Sequence, residues 1–179
     1  MRRKYFMKSL IVNFKENKKQ FAVCFFVICV CLLADQISKQ FMLNLLIKNP
    51  YNGISILPFF NLVLVINTGV SFGMFANLFF GKYILTALVC VITFVLIILF
   101  LKEKKSLQRY AYALLISGAI GNTIDRIIYG GVIDFLDFHI NGNHWPAFNI
   151  ADSIIFVGTF LLIFGDVINK KFLKTNEKY

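Results

Sequence analysis

Acids are scarce in this chain. Of its 179 residues, nine are Asp or Glu and 19 are Lys or Arg, a formal net charge of +10. Such a surplus could serve nucleic acid, but no basic stripe of the kind that binding uses is present, so no nucleic-acid partner is expected. Proline is limited to three residues, histidine to two and tryptophan to one. His139 and His144 could touch a metal, but zinc sites want three or four ligands at recognisable spacing, so no metal is expected. The four cysteines, Cys24, Cys29, Cys31 and Cys90, form no C-x-x-C pair and lie in apolar runs. Disulfide and zinc readings lose their support, and small buried apolar side chains remain. No nucleophile elbow or S-x-x-K surrounds Ser153. Gly69, Gly73 and Gly81 form no phosphate loop, and there is no internal repeat or low-complexity segment.

What the chain has in quantity is apolar length. Hydrophobic residues make up 58% and the mean hydropathy is +0.71, whereas soluble domains sit near about 45–50% apolar. The excess falls in runs at roughly Phe21–Phe41, Tyr83–Leu101, Tyr110–Ile128 and Asn149–Ile168. Each is long enough to cross a hydrocarbon core of about 30 Å. A basic head at residues 1–20 precedes the first run, but no small-x-small cleavage site follows, so the run reads as an uncleaved anchor. The expected organisation is a cytoplasmic head (1–20), a membrane domain (21–168) and a basic tail (169–179).

Orientation follows from the basic residues. Fifteen lie in the head, the connector Lys102–Arg109 and the tail, and four (Lys39, Lys48, Lys82, Arg126) lie elsewhere. The positive-inside rule then places both termini in the cytoplasm. Two connectors remain outside. The first, Leu43–Lys82, has turn signals at Pro50, Asn52-Gly53 and Pro58. Within it Phe60 to Asn67 alternates with period 2 and predicts a strand. Phe72 to Phe80 is aromatic and suits the membrane surface. The second, Tyr129–Phe148, reads as a loop whose Trp145 suits the headgroup level. The fold class is therefore an all-α membrane protein of four transmembrane helices with a small extracytoplasmic β-containing platform.

Against this background the carboxylates stand out. Four of the nine lie between Gly121 and Asp152, and ionisable groups at a membrane span are functional candidates by default. Lys19 to Asp35 and Arg109 to Asp125 are each 16 residues, about 24 Å of helix. Both aspartates therefore approach the outer face. Asp152 enters the fourth span there and Asp134 lies in the loop feeding it, so Asp35, Asp125, Asp134 and Asp152 converge at one depth.

Plainer readings exist for each group. Asp35 and Lys39 are spaced i, i+4 with the acid first, as in a structural ion pair. Asn122, Asp125 and Arg126 share a helix face and could clamp helices together. Asn149 and Asp152 have the spacing of a capping box. Asp137 reads as a loop residue without a partner, and Asp166 as solvated at the cytoplasmic end. A proton- or ion-coupled transporter also places carboxylates in the membrane, although it favours spreading them through the depth. A non-catalytic subunit would tolerate Asn at these aspartates.

At these residues the chain resembles the lipoprotein signal peptidase family, signal peptidase II of bacteria. The resemblance rests on five blocks in order: Asp35-Gln36-Ile37-Ser38-Lys39, Asn67-Thr68-Gly69-Val70-Ser71-Phe72-Gly73, Gly121-Asn122-Thr123-Ile124-Asp125-Arg126, Gly131-Val132-Ile133-Asp134-Phe135 and Phe148-Asn149-Ile150-Ala151-Asp152. It covers about residues 21–168. The family often has alanines where this chain has Val70 and Ser71. The resemblance implies an intramembrane aspartyl peptidase of the bacterial cell (inner) membrane. Its substrates would be diacylglyceryl-modified prolipoproteins, cut before the lipidated cysteine. The catalytic pair falls on Asp134 and Asp152, and supporting residues on Asp35, Lys39, Asn67, Asn122, Asp125, Arg126 and Asn149. The resemblance further implies no cofactor, contact with membrane lipids, inhibition by globomycin and a monomer.

Overall fold

The computed structural model describes residues 12–48, 53–69 and 81–176, with side chains through Val167. Pro50, Asn52, Val70, Ser71 and the Phe72–Phe80 stretch lie outside the described residues. Four long helices and a small sheet make up the rest: α1 (Lys18–Leu46), β1 (Ile54–Leu57), β2 (Phe60–Asn67), α2 (Gly81–Lys102), α3 (Ser106–Tyr129), β3 (Val132–Ile140), β4 (Asn143–His144) and α4 (Ile150–Asn176).

Three helices, α1, α2 and α4, are long and apolar enough to cross a membrane. Helix α3 has 24 residues but a more polar sequence. The reason lies in its position. It packs against all three other helices, and it buries Gln108, Arg109, Ser117, Asn122 and Asp125. A helix surrounded by protein can carry polar groups that pair with its neighbours, whereas a lipid-facing helix cannot. The outer helices show the reverse pattern, with Phe25 68% and Phe156 73% exposed. The apolar core proper is small, built on Phe21, Cys24, Phe100, Ala113 and Ile116. Cys24 is buried as expected, but Cys90 is exposed on α2. An apolar surface of this kind is the normal outer face of a helix whose solvent is lipid.

At the end of the bundle carrying the α2–α3 connector, Arg109 is fully buried. Its guanidinium donates to the Glu103 carbonyl and Gln20, and to Asn13 Oδ1 at 3.2 Å. It also lies 4.6 Å above the Phe21 ring. The sequence reading counted Arg109 among the basic residues of the connector; its buried guanidinium ties residue 13, α1 and the connector together. Asp166 is half exposed, as expected, but it pairs with Lys105 at 2.6 Å.

At the other end the four strands form an antiparallel sheet in the order β1-β2-β3-β4. Strand β2 matches the period-2 reading. Strand β3 overturns the expectation of a loop, and with it the placing of Asp134 there. Two signals were present in the sequence. Val132 to Ile140 is rich in β-branched and aromatic residues, and Asn141-Gly142 follows with φ of 49° and 79°. Two left-handed residues in succession make the tight turn whose twist suits a hairpin. Asp137 is likewise not a bare loop residue. It is buried, accepts from Asn61 Nδ2 at 3.1 Å and pairs with His144 Nδ1 at 2.8 Å. Burial pushes its carboxyl up, but the bonds from His144 and Asn61 outweigh this and hold it below the usual range. Trp145 is 69% exposed beside this hairpin.

Helix α3 ends at Gly130, whose φ of 75° places it in the left-handed region that closes a helix. Along α3, glycines let α4 approach closely. A Cβ at Gly118 would stand 2.6 Å from the Ala151 carbonyl oxygen. Ala151 precedes Asp152, so this contact sets the start of α4. Gly118→Ala should displace that backbone at a cost of about 1–3 kcal/mol. A lower unfolding temperature in detergent is the expected result, and an unchanged one would refute the close-approach account.

Candidate active site

The site is built from the outer ends of α1 and α3, from β2 and β3, and from the first turn of α4. Its centre is the ammonium of Lys39, 1% exposed. Lys39 Nζ lies 2.8 Å from Asp35 Oδ2, 2.7 Å from Asp125 Oδ2 and 3.0 Å from Asn122 Oδ1. An ammonium has three protons, and each has an acceptor here. The expected Asp35–Lys39 pair is thus present. The α3 face expected to act as a clamp divides in two: Asn122 and Asp125 meet Lys39, whereas Arg126 donates from Nη1 to the Asn122 carbonyl at 3.1 Å. Arg126 also lines a cavity of about 430 Å³ with Tyr83, Thr86 and Ile127.

The carboxylates carry the charge cluster to other elements. Asp35 Oδ1 accepts from the Ala151 main-chain N–H at 2.8 Å, at the start of α4. Asp125 Oδ2 accepts from the Ile133 N–H at 3.2 Å, beside Asp134. At Gly121 a Cβ would stand 2.5 Å from Asp35 Oδ2, so only glycine admits that carboxylate against α3. Gln36 is a member that sequence reasoning gave no role. Its amide donates to Asp125 Oδ1 at 3.1 Å and to the Gly121 carbonyl at 3.3 Å. The signal was its place in an otherwise apolar run, between Asp35 and Lys39.

Above this layer stand Asp134 and Asp152. Asn149 touches both: its Nδ2 donates to Asp134 Oδ1 at 2.7 Å and its main-chain N–H to Asp152 Oδ2 at 3.3 Å. Asn149 Oδ1 in turn accepts from the Asp152 N–H at 2.9 Å, so the expected capping box is formed. Asn122 Nδ2 donates to Asp152 Oδ1 at 2.8 Å. Asn67, at the end of β2, donates to Asp134 Oδ2 at 3.1 Å. The carboxylates at 134 and 152 therefore share a partner, although 17 residues and a hairpin separate them in sequence.

The environment of Asp134 is mostly protein, and it is 2% exposed. Burial raises its carboxyl to about 6; the Asn67 amide opposes this, the Asp152 charge adds to it, and Asn149 and Lys39 oppose it. Among the described residues no group of three or more His, Cys, Asp or Glu could hold a metal ion.

Long apolar helices around a buried Asp134 and a half-buried Asp152, which share the partner Asn149, define a multi-pass membrane protein with paired carboxylates. The family model for signal peptidase (SPase) II, an aspartic peptidase family, matches residues 27–168. A lipoprotein signal peptidase of Thermodesulfovibrio yellowstonii is 46% identical over 140 residues, covering 78% of this chain and 91% of that one. Another from Pelagibacter ubique is 40% identical over 168 residues, covering 92% and 98%. A solved structure described as a bacterial membrane enzyme superposes with a TM-score of 0.68 at 27% identity, covering 83% of this chain and 90% of that one. The chain belongs to the signal peptidase II family, and is an aspartic peptidase.

The Lys39 cluster yields a direct expectation for stability. Lys39→Met would leave Asp35 and Asp125 buried without a cation. Breaking a buried pair in this way costs about 3–5 kcal/mol. Thermal unfolding in detergent should therefore show a large loss; a variant as stable as the parent would mean that the two aspartates are not ionised partners of Lys39.

Proposed function

We propose that the chain removes signal peptides from diacylglyceryl-modified prolipoproteins in the bacterial inner membrane, cutting before the lipidated cysteine, with Asp134 and Asp152 as the catalytic dyad. The observation that carries this reading is Asn149, which donates to both carboxylates at 2.7 and 3.3 Å. The relatives named lipoprotein signal peptidase supply the substrate class. In this reading Asp134, the buried member, holds the shared proton, and Asp152 in the first turn of α4 is the ionised base. Asp152 takes a proton from water as the water oxygen attacks the scissile carbonyl carbon. Asp134 gives its proton to the carbonyl oxygen, forming a gem-diol. Collapse breaks the C–N bond: the leaving nitrogen takes the proton from Asp152, and Asp134 recovers one from the gem-diol. As pH rises through about 6 the free enzyme loses the shared proton, since that is where the Asp134 carboxyl titrates. No cofactor takes part, a monomer suffices, and globomycin is expected to block the site.

The topology belongs to the same proposal. Helix α3 is the fourth span, its polar groups shielded by the other three, and both termini are cytoplasmic. The sheet is then the extracytoplasmic platform that brings Asp134 to the outer membrane boundary. The substrate lipid can stay in the outer leaflet while its peptide bond reaches the dyad. Single cysteines at Asn143 and Lys104, both exposed, test this in a cysteine-free background. An impermeant thiol reagent added to intact cells should label the first and spare the second; the opposite labelling overturns the orientation.

The dyad has its own test. Asp→Asn preserves shape but removes the titrating proton, so Asp134→Asn and Asp152→Asn should each abolish cleavage while expression stays normal. Asp137→Asn, on the same strand, should keep most activity. The capping role alone predicts the contrary for Asp152, because Asn also serves at a helix start. Substantial turnover of a lipid-modified prolipoprotein peptide by either dyad variant refutes the assignment.

A further inference from the structure

We infer that Lys39 is a positioning residue for the dyad: its ammonium fixes the side-chain amide of Asn122 with the oxygen inward, so that the NH2 faces Asp152. The inference rests on the dyad reading above and adds a residue that touches neither carboxylate of the pair.

The argument is one of hydrogen-bond polarity. A side-chain amide has a donor end and an acceptor end of nearly the same shape. Asn122 Oδ1 meets Lys39 Nζ at 3.0 Å and Asn149 Nδ2 at 3.3 Å, and Nδ2 meets Asp152 Oδ1 at 2.8 Å. Turning the amide over would place NH2 against an ammonium and would present an oxygen to Asp152. Asn149 is already held one way round, because its Oδ1 accepts the Asp152 main-chain N–H at 2.9 Å. The amide left for Lys39 to orient is that of Asn122, and an ammonium cannot act as an acceptor. In the observed direction Asn122 donates to Asp152 and favours an ionised carboxylate there. Turned the other way, Asn122 would favour a protonated Asp152, useless as a base.

The charged groups around Lys39 come from every element packed against it. Asp35 lies on α1 with it, Asp125 and Arg126 on α3, Asp134 on β3 and Asp152 on α4. Asp35 and Asp125 hold the ammonium in place, at 2.8 and 2.7 Å. Arg126 does not substitute for it, since it bonds the main chain of Asn122 and not its amide.

The test separates positioning from simple ion pairing. Lys39→Met combined with Asp125→Asn removes one positive and one negative charge, so the cluster keeps its net charge and only one buried carboxylate is left without a cation. Folding is checked by thermal unfolding in detergent. In the folded double variant kcat should fall about tenfold to a hundredfold, with KM changed less than about twofold because the substrate's binding contacts are intact. The acid limb of the kcat/KM profile should move to higher pH, as the amide no longer favours the ionised dyad. Parental kcat and an unmoved pH profile would overturn the inference. If the double variant does not fold, the parent decides. In asparagine-labelled protein the Asn122 NH2 protons should show stronger NMR cross-peaks to the Asp152 β protons than to the Lys39 ε protons, and the reverse pattern would overturn the inference. Activity surviving in Asp134→Asn or Asp152→Asn would instead defeat the dyad reading itself, a separate outcome.

Discussion

The end of the structure that carries the site depends on the buried cation of Lys39. An ammonium at 1% exposure loses its water, and that loss is tolerable only where each proton finds a strong acceptor. Asp35, Asp125 and Asn122 provide these. Each acceptor also engages another element: Asp35 takes the Ala151 N–H of α4, Asp125 takes the Ile133 N–H of β3, and Asn122 donates to Asp152. Lys39 therefore fixes α1, α3, α4 and the platform relative to one another. Helix packing alone would not do this. In lipid there is little hydrophobic force between helices, and the apolar core here is small.

Placement of polar groups follows from the same constraint. Only α3 is enclosed by the other helices, and it carries five of the twelve buried polar side chains among the described residues, more than any other element. The glycines at 118 and 121 permit this by letting α4 and the Asp35 carboxylate come close. Fold and site thus share one mechanism. Small residues admit neighbours, and the neighbours bring partners for the polar groups. The asparagines at 67, 122 and 149 then distribute N–H donors over the two carboxylates.

Much of this was legible in the residues. The four helices came from apolar length, β2 from its alternation, and the Asp35–Lys39 and Asn149–Asp152 relations from local spacing. Strand β3 was missed because its central carboxylates broke the apolar pattern, although the Asn141-Gly142 turn signal was there. Asp137 was misread for a related reason: its partners are Asn61, on another strand, and His144, across the turn. Partners brought in by strand pairing have no fixed spacing and leave no local trace.

The sequence by itself determined that this chain lives in a membrane and to which family it belongs. Apolar length and charge placement are read by the bilayer directly, and the five ordered blocks carry the family. The tertiary structure alone decided who pairs with whom. Spacing could not tell that Asp125 meets Lys39 and not its neighbour Arg126, that Asn149 serves both carboxylates, or that the Lys39 ammonium meets the amide oxygen of Asn122. Those outcomes depend on the approach of helices and strands distant in sequence. The short range of a hydrogen bond makes them sensitive to tenths of an ångström that no local pattern encodes.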